Sequence, residues 1–409
     1  MNAELHRLGN GIAVAVDPMP GAESVAIGLY AMVGSRSEPE HLSGLAHLVE
    51  HMVFKGAGPR DTRQIAEAIE DVGGVINAWT ARDQTVFYGR TLAKDAELLC
   101  GLLCDFLRVP HMAEEHLERE KDVILSELGE AVDAPDDLVH DHLFEAAFEN
   151  QPLGRSVLGN AETLRSITRD DCLNWIRDEL VPSRLIFSAS GKVDAEHMLK
   201  CAERLLGDME NWPGVPIGAA EFTGGVRNDR REFEQAHWSL GLPGMAAGDP
   251  RLPALSIFVQ ALGGGMSSRL FQELREERGL AYSVSAWSQA YADTGIVGLS
   301  CAADRNRAVE SMHVARSVLA SAVENLGDAE VQRAKAQIEA GLLMALETAQ
   351  GRADQMARSI EVFGRILSLS ELLDEIRAVD AAAACAAGAA LLDGRAAVAS
   401  VGAQLALAA

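Results

Sequence analysis

His47, Glu50 and His51, in the string His47-Leu48-Val49-Glu50-His51, are the residues of this chain best spaced for chemistry. On a helix, residues 47 and 51 lie one turn apart with 50 adjacent, so both imidazoles and the carboxylate point to one side. Two histidines at i and i+4 are a natural bidentate clamp for Zn²⁺. A non-ligating Glu50 beside them can take a proton from a water that the metal activates. The rest of the segment is apolar, through Leu45, Leu48, Val49, Met52, Val53 and Phe54. Histidines without partners would be costly there, which favours a ligand role. Ser43 is the expected N-cap of this helix and Gly56 its stop.

A catalytic zinc needs a third protein ligand and one open position. The acidic helix predicted over Glu114–Val132 supplies two candidates, Glu120 and Glu127. They share one face about 10 Å apart along the axis, at about 1.5 Å per residue, so both cannot ligate one zinc. The metal itself stays open, because Co²⁺ or Mn²⁺ can occupy similar ligands.

The elements that must position these groups occur twice. Strands are predicted at Ile12–Val16, Val25–Leu29 and Thr85–Tyr88, with helices at Leu45–Lys55, Thr62–Val72, Ala96–Leu107 and Glu114–Val132. The order recurs with a strand at Ala236–Leu242, a helix at Leu252–Leu262, strands at Ala281–Ser288 and Gly295–Cys301, and then long helices. An offset of 208 residues (255 minus 47) sets His47, Glu50 and His51 against Leu255, Phe258 and Val259. An offset of 214 (334 minus 120) sets Glu120 and Glu127 against Ala334 and Gly341. Two copies share a scaffold and one carries the chemistry. Strands and helices in runs, without steady βαβ alternation, predict an α+β fold of two homologous domains, each a sheet covered by helices. A Gly- and Pro-rich stretch without sustained periodicity marks a linker over 211–230, between a catalytic domain at 1–210 and a second domain at 231–409 lacking metal ligands.

Composition bounds the partners. With 36 basic and 60 acidic residues, the net charge of -24 has the wrong sign for nucleic acid or an anionic membrane surface. No run of 18 uncharged apolar residues and no export signal occurs, so no membrane span is expected. Six cysteines with no CxxC pair read as reduced thiols, and a cytoplasmic protein is expected. Gly263-Gly264-Gly265 follows a helix rather than a strand, which makes it a closing loop and not a phosphate cradle.

The segments GLAHLVEHMVFKG, VINAWTARDQTVFY, EREKDVILSEL, EQAHWSLGLPG and GGGMSSRLFQELREERGLAYSV, in that order, resemble the pitrilysin-like (inverzincin) zinc metallopeptidases. The likeness is to the branch containing the mitochondrial processing peptidase β-subunit and its bacterial relatives. It implies domains with mixed, mainly antiparallel sheets that form half of a clamshell. It also implies that Glu127, 76 positions after His51 (127 minus 51), is the third ligand, and that Glu120 supports the site. Arg275 and Tyr282 resemble the pair that the family's second domain presents to the substrate, and Asn77 resembles its strand-edge residue that holds the peptide backbone. The implied enzyme is a zinc endopeptidase or oligopeptidase acting on unfolded peptides, basic ones if the acidic excess lines its chamber. A chain of one half's length implies a homodimer, the alternative being a heterodimer with a non-catalytic homologue. A non-hydrolytic structural subunit of the same fold is the remaining alternative.

Overall fold

Continuous apolar runs make central strands and alternating ones make edges, and both kinds occur in each of two sheets. The computed structural model describes residues 3–392 and 394–406. Its strands, in chain order, are β1 (Glu4–Arg7), β2 (Ala13–Pro18), β3 (Ser24–Ala31), β4 (Gly56–Ala57), β5 (Arg60–Asp61), β6 (Val75–Thr80), β7 (Thr85–Leu92), β8 (Leu185–Gly191), β9 (Gly225–Asp229), β10 (Gln235–Pro243), β11 (Ala281–Ala290), β12 (Gly295–Asp304) and β13 (Ala397–Val401). The first sheet has the order β1-β2-β8-β3-β7-β6, antiparallel except between β2 and β8. The second has the order β11-β12-β10-β13-β9, antiparallel except between β13 and β9. Val25 to Ala31 of β3 are buried without a break, as suits a strand covered on both faces. On the edge strand β6, Val75, Asn77 and Trp79 are exposed while Ala78 is buried.

The helices are α1 (Leu45–Val53), α2 (Thr62–Glu70), α3 (Ala96–Arg108), α4 (Glu114–Asp133), α5 (Pro135–Ala147), α6 (Ala161–Ser166), α7 (Arg169–Glu179), α8 (Ala195–Leu206), α9 (Leu252–Gly263), α10 (Ala308–Asn325), α11 (Asp328–Leu346), α12 (Ala349–Phe363), α13 (Leu369–Ala378) and α14 (Ala381–Ala390). The duplication is visible in this order. A strand, an apolar helix, a hairpin and two long helices recur as β3, α1, β6–β7, α3, α4 and as β10, α9, β11–β12, α10, α11. The fold is therefore α+β, with a mixed, mainly antiparallel sheet covered by helices in each copy.

Two compact units result, and the chain passes between them more than once. The first comprises the residues up to Leu128, Ser156–Gly218 and Leu343–Leu369; the second comprises Gly129–Arg155, Ala219–Leu342 and the residues from Ser370 on. This division departs from cuts at 210 and 230. The reason is apolar packing. Leu143, Phe144 and Ala147 of α5 bury against Ala397, Ala399 and Val401 in the second unit. Met356, Ala357 and Ile360 of α12 bury against Ala13, Ala15, Tyr30 and Ile186 in the first. The expected linker departs from its reading too. Residues 211–224 lack helix and strand, but Gly225–Asp229 pairs with β13 as β9.

Candidate active site

Two stripes run along α1. Leu45, Leu48, Val49, Met52 and Val53, at i, i+3, i+4, i+7 and i+8, are buried in the core of the first unit. His47, Glu50 and His51 occupy the flank, each partly exposed. The helix start differs from the expected Ser43 cap. Gly44 is the capping residue, at φ +96°, and the buried carboxylate of Glu38 accepts from Gly44 N at 2.9 Å and Ala46 N at 2.7 Å. A charged acceptor from outside the helix serves the first turn better than the local hydroxyl, since it also answers the positive end of the helix dipole. A Cβ at Gly44 would stand 2.8 Å from Leu158 O, so both the positive φ and the close approach require glycine. At the other end, Gly56 has φ +141°.

Helix α4 brings both candidate glutamates to one imidazole. Glu127 faces His47 Nε2 at 4.0 Å and His51 Nε2 at 3.8 Å, and ligand atoms of His47, His51 and Glu127 lie within 4.8 Å of one another. Glu120, one heptad earlier and 7% exposed, takes the opposite nitrogen, with Oε2 3.1 Å from His51 Nδ1. Its other oxygen is 2.8 Å from Lys55 Nζ. A carboxylate only accepts, so this contact places the His51 proton on Nδ1 and leaves the Nε2 lone pair facing Glu127.

The electrostatics suit a divalent cation. Burial, helped by neighbouring His51, pushes the His47 imidazole down to about 4, which keeps its lone pair free at neutral pH. Burial raises the Glu50 carboxyl above the ordinary range, with Glu127 adding to the rise and His51 opposing it. Glu50 Oε2 and His47 Nδ1 are buried without a hydrogen-bond partner. Such atoms cost about 1–3 kcal/mol each when left unpaired, so both positions favour a partner from outside the chain. Glu50, Glu120 and Glu127 against Lys55 give a formal charge of three minus one, or -2. Two neutral imidazole nitrogens and a carboxylate are a zinc donor set, and the residues fit that metal.

Residues 13–161 match the family model described as insulinase (peptidase family M16), and residues 166–338 match the model described as the peptidase M16 inactive domain. A Rickettsia bellii protein described as an uncharacterized zinc protease is 33% identical over 382 residues, covering 93% of each chain. The chain belongs to peptidase family M16. A Bacillus subtilis relative described in the same words is 32% identical over 91% of each chain. The fold agrees with a crystal structure of a Helicobacter pylori protease, at a TM-score of 0.91 and 18% identity over 98% of this chain and 99% of that one. A Pseudomonas fluorescens structure described as a peptidase M16 inactive domain gives a TM-score of 0.90 at 20% identity, over 99% of each chain. As an M16 enzyme the protein is a zinc metallopeptidase.

The remaining expected site residues of this M16 chain fall on other elements. Asn77 is exposed on the edge strand β6, which packs beside α1 in the first unit. Arg275 and Tyr282 lie in the second unit and are near each other. The Arg275 guanidinium stands 4.8 Å from the Phe271 ring centre and 5.8 Å from that of Tyr282, whose side chain is largely exposed. A π-helical turn over Phe271–Glu277 carries the arginine, in a stretch for which no element was expected from the sequence. Sequence reasoning missed Glu38 and Lys55. The spacing of Lys55 four residues after His51 was the available signal for one, while nothing local marks Glu38.

Proposed function

We propose that His47, His51 and Glu127 hold one Zn²⁺ per chain and that Glu50 serves as general base and then general acid in peptide-bond hydrolysis. The observation that carries this reading is the convergence of those three ligand atoms within 4.8 Å, beside a buried Glu50 oxygen with no partner. Zinc bound there supplies Lewis acidity, lowering the pKa of a water to about 7 and polarising the scissile carbonyl. Glu50 takes the water's proton at Oε2 and returns it to the departing amine, a role for which its raised affinity for protons suits it. Glu120 keeps His51 in the required tautomer and Lys55 holds Glu120 in place. Asn77 and the edge of β6 receive the substrate backbone as an added strand, which restricts substrates to extended, unfolded chains. Arg275 donates to a peptide carbonyl and Tyr282 to the developing oxyanion.

The finer reading continues from the likeness to the processing peptidase branch. The protein is a homodimeric endopeptidase or oligopeptidase in which each metal site is completed by Arg275 and Tyr282 of the other subunit. Its net charge of -24 gives it a preference for basic, presequence-like peptides. It works in the cytoplasm, a reducing compartment in keeping with its six free cysteines. Among the described residues no helix is long and apolar enough to cross a membrane.

The test is cleavage of a panel of unfolded basic and acidic peptides, read by mass, with untreated, chelated and zinc-restored protein. The expected result is chelator-sensitive cutting that zinc restores and that favours basic peptides. No cutting by zinc-loaded dimer would overturn the homodimeric enzyme, and copurification of a second homologous chain lacking HxxEH would replace it with the heterodimer.

A further inference from the structure

A second group of potential ligands stands apart from the HxxEH motif. Glu97 lies in the first turn of α3, and His197 and Cys201, at i and i+4, share one face of α8, which packs against α3. Among the described residues only this trio and His47, His51 and Glu127 bring three such ligand atoms within 4.8 Å of one another. The distances have the shape of a coordination triangle. His197 Nε2 is 3.2 Å from Glu97 Oε1, and Cys201 Sγ is 3.8 Å from each of these atoms. Metal bonds of about 2.0 Å to N and O and about 2.3 Å to S, at tetrahedral angles, set ligand atoms about 3.3 Å (N to O) and about 3.5 Å (S to N or O) apart.

A cysteine, a histidine and a carboxylate also suggest a nucleophile with its base and orienting acid. The connectivity excludes that. In such a relay the acid and the thiol engage opposite ring nitrogens, whereas here Glu97 and Cys201 both face His197 Nε2. Burial first, then the nearby Cys100 and Glu97, push the Cys201 thiol up to about 11, far from an activated thiolate. Three ligand atoms of this chemistry within 3.8 Å of one another suit a shared cation instead.

We infer that Glu97, His197 and Cys201 form a second site for a thiophilic divalent transition ion of the Zn²⁺ class, which staples α3 to α8 in the first unit. Sulfur, imidazole and carboxylate together select such ions over Mg²⁺ or Ca²⁺. Binding displaces the Cys201 proton to solvent as the thiolate coordinates. Arg204, with its guanidinium 3.7 Å from Sγ and 3.9 Å from Glu97 Oε2, favours the thiolate and must swing outward when the ion enters. Its side chain is 60% exposed and free to do so. The Glu97 and His197 side chains are about half exposed, which leaves the fourth position to water.

Co²⁺ separates this site from the catalytic one, because the His47–His51–Glu127 set contains no sulfur. Full-length protein freed of metal is titrated with Co²⁺, and the near-ultraviolet sulfur-to-cobalt charge-transfer band is recorded. Wild type and His51→Ala should both develop the band, and Cys201→Ala should lose it. Because Cys201 is buried, the exposed Glu97→Gln and His197→Gln changes provide variants that leave the core untouched; each should weaken the Co²⁺ response about tenfold or more. No band in wild type, a band that survives Cys201→Ala, or Glu97→Gln and His197→Gln titrations that match wild type would overturn the proposal.

Discussion

His51 is the residue on which the catalytic geometry turns, because its two nitrogens are claimed from opposite sides by two glutamates of one helix. Replacing Glu120 with Gln removes the ionised acceptor at Nδ1, and zinc affinity measured by competition with a chelating dye should fall about 10- to 100-fold. An unchanged affinity would show that Glu120 is only packed there. His47 gives a pH-dependent prediction for the metal-free protein. Its folded-state value is depressed from 6.5 to about 4, so it adds stability that is fully present above pH 6.5 and is lost as pH falls towards 4. At about 1.4 kcal/mol per unit the loss is about 3 kcal/mol. Urea melts of chelated wild type and His47→Gln at pH 7 and 4.5 should show the variant losing clearly less across that interval; parallel losses would contradict the assignment.

Helices and strands set how much of this was legible beforehand. The apolar stripe of α1 and the i, i+4 histidines are local patterns, and the helix appears over Leu45–Val53 where Leu45–Lys55 was expected. The choice between Glu120 and Glu127 was not a local matter. Spacing showed that one zinc could not take both, and family likeness selected Glu127, while the contact of Glu120 with Nδ1 depends on how α4 lies against α1. The cap was misread for a related reason. Glu38 reaches Gly44 N and Ala46 N across a turn that no helical period describes. Likewise α5 and α12 were not assigned from the sequence, and the sheet that each one covers is set by packing between distant segments. Glu38→Ala should destabilise the first unit by about 1–2 kcal/mol through the loss of this cap, visible as a lower melting temperature. It should also weaken zinc binding, since His47 sits in the first turn; melting and affinity both unaltered would contradict the capping role.

At the scale of the whole molecule, duplication explains why one unit carries the proposed ligands and the other offers Leu255, Phe258 and Val259 in their place, in keeping with the match of 166–338 to a model described as inactive. The proposed homodimer makes a specific claim about mixtures. Glu50→Gln and Tyr282→Phe dimers are each expected to be nearly inactive. If Tyr282 serves the metal site of the other subunit, exchange between them rebuilds one intact site in each mixed dimer. Random exchange makes half the dimers mixed, so activity should recover to about a quarter of wild type. No recovery after exchange would place Tyr282 with the metal site of its own chain. The central claim, that Glu50 moves the proton at a zinc held by His47, His51 and Glu127, is tested most directly by Glu50→Gln, with zinc content and peptide turnover measured on the same sample. The account predicts one zinc per chain retained at that site and turnover reduced at least about 10²- to 10⁴-fold. Near-normal turnover with zinc in place would contradict it.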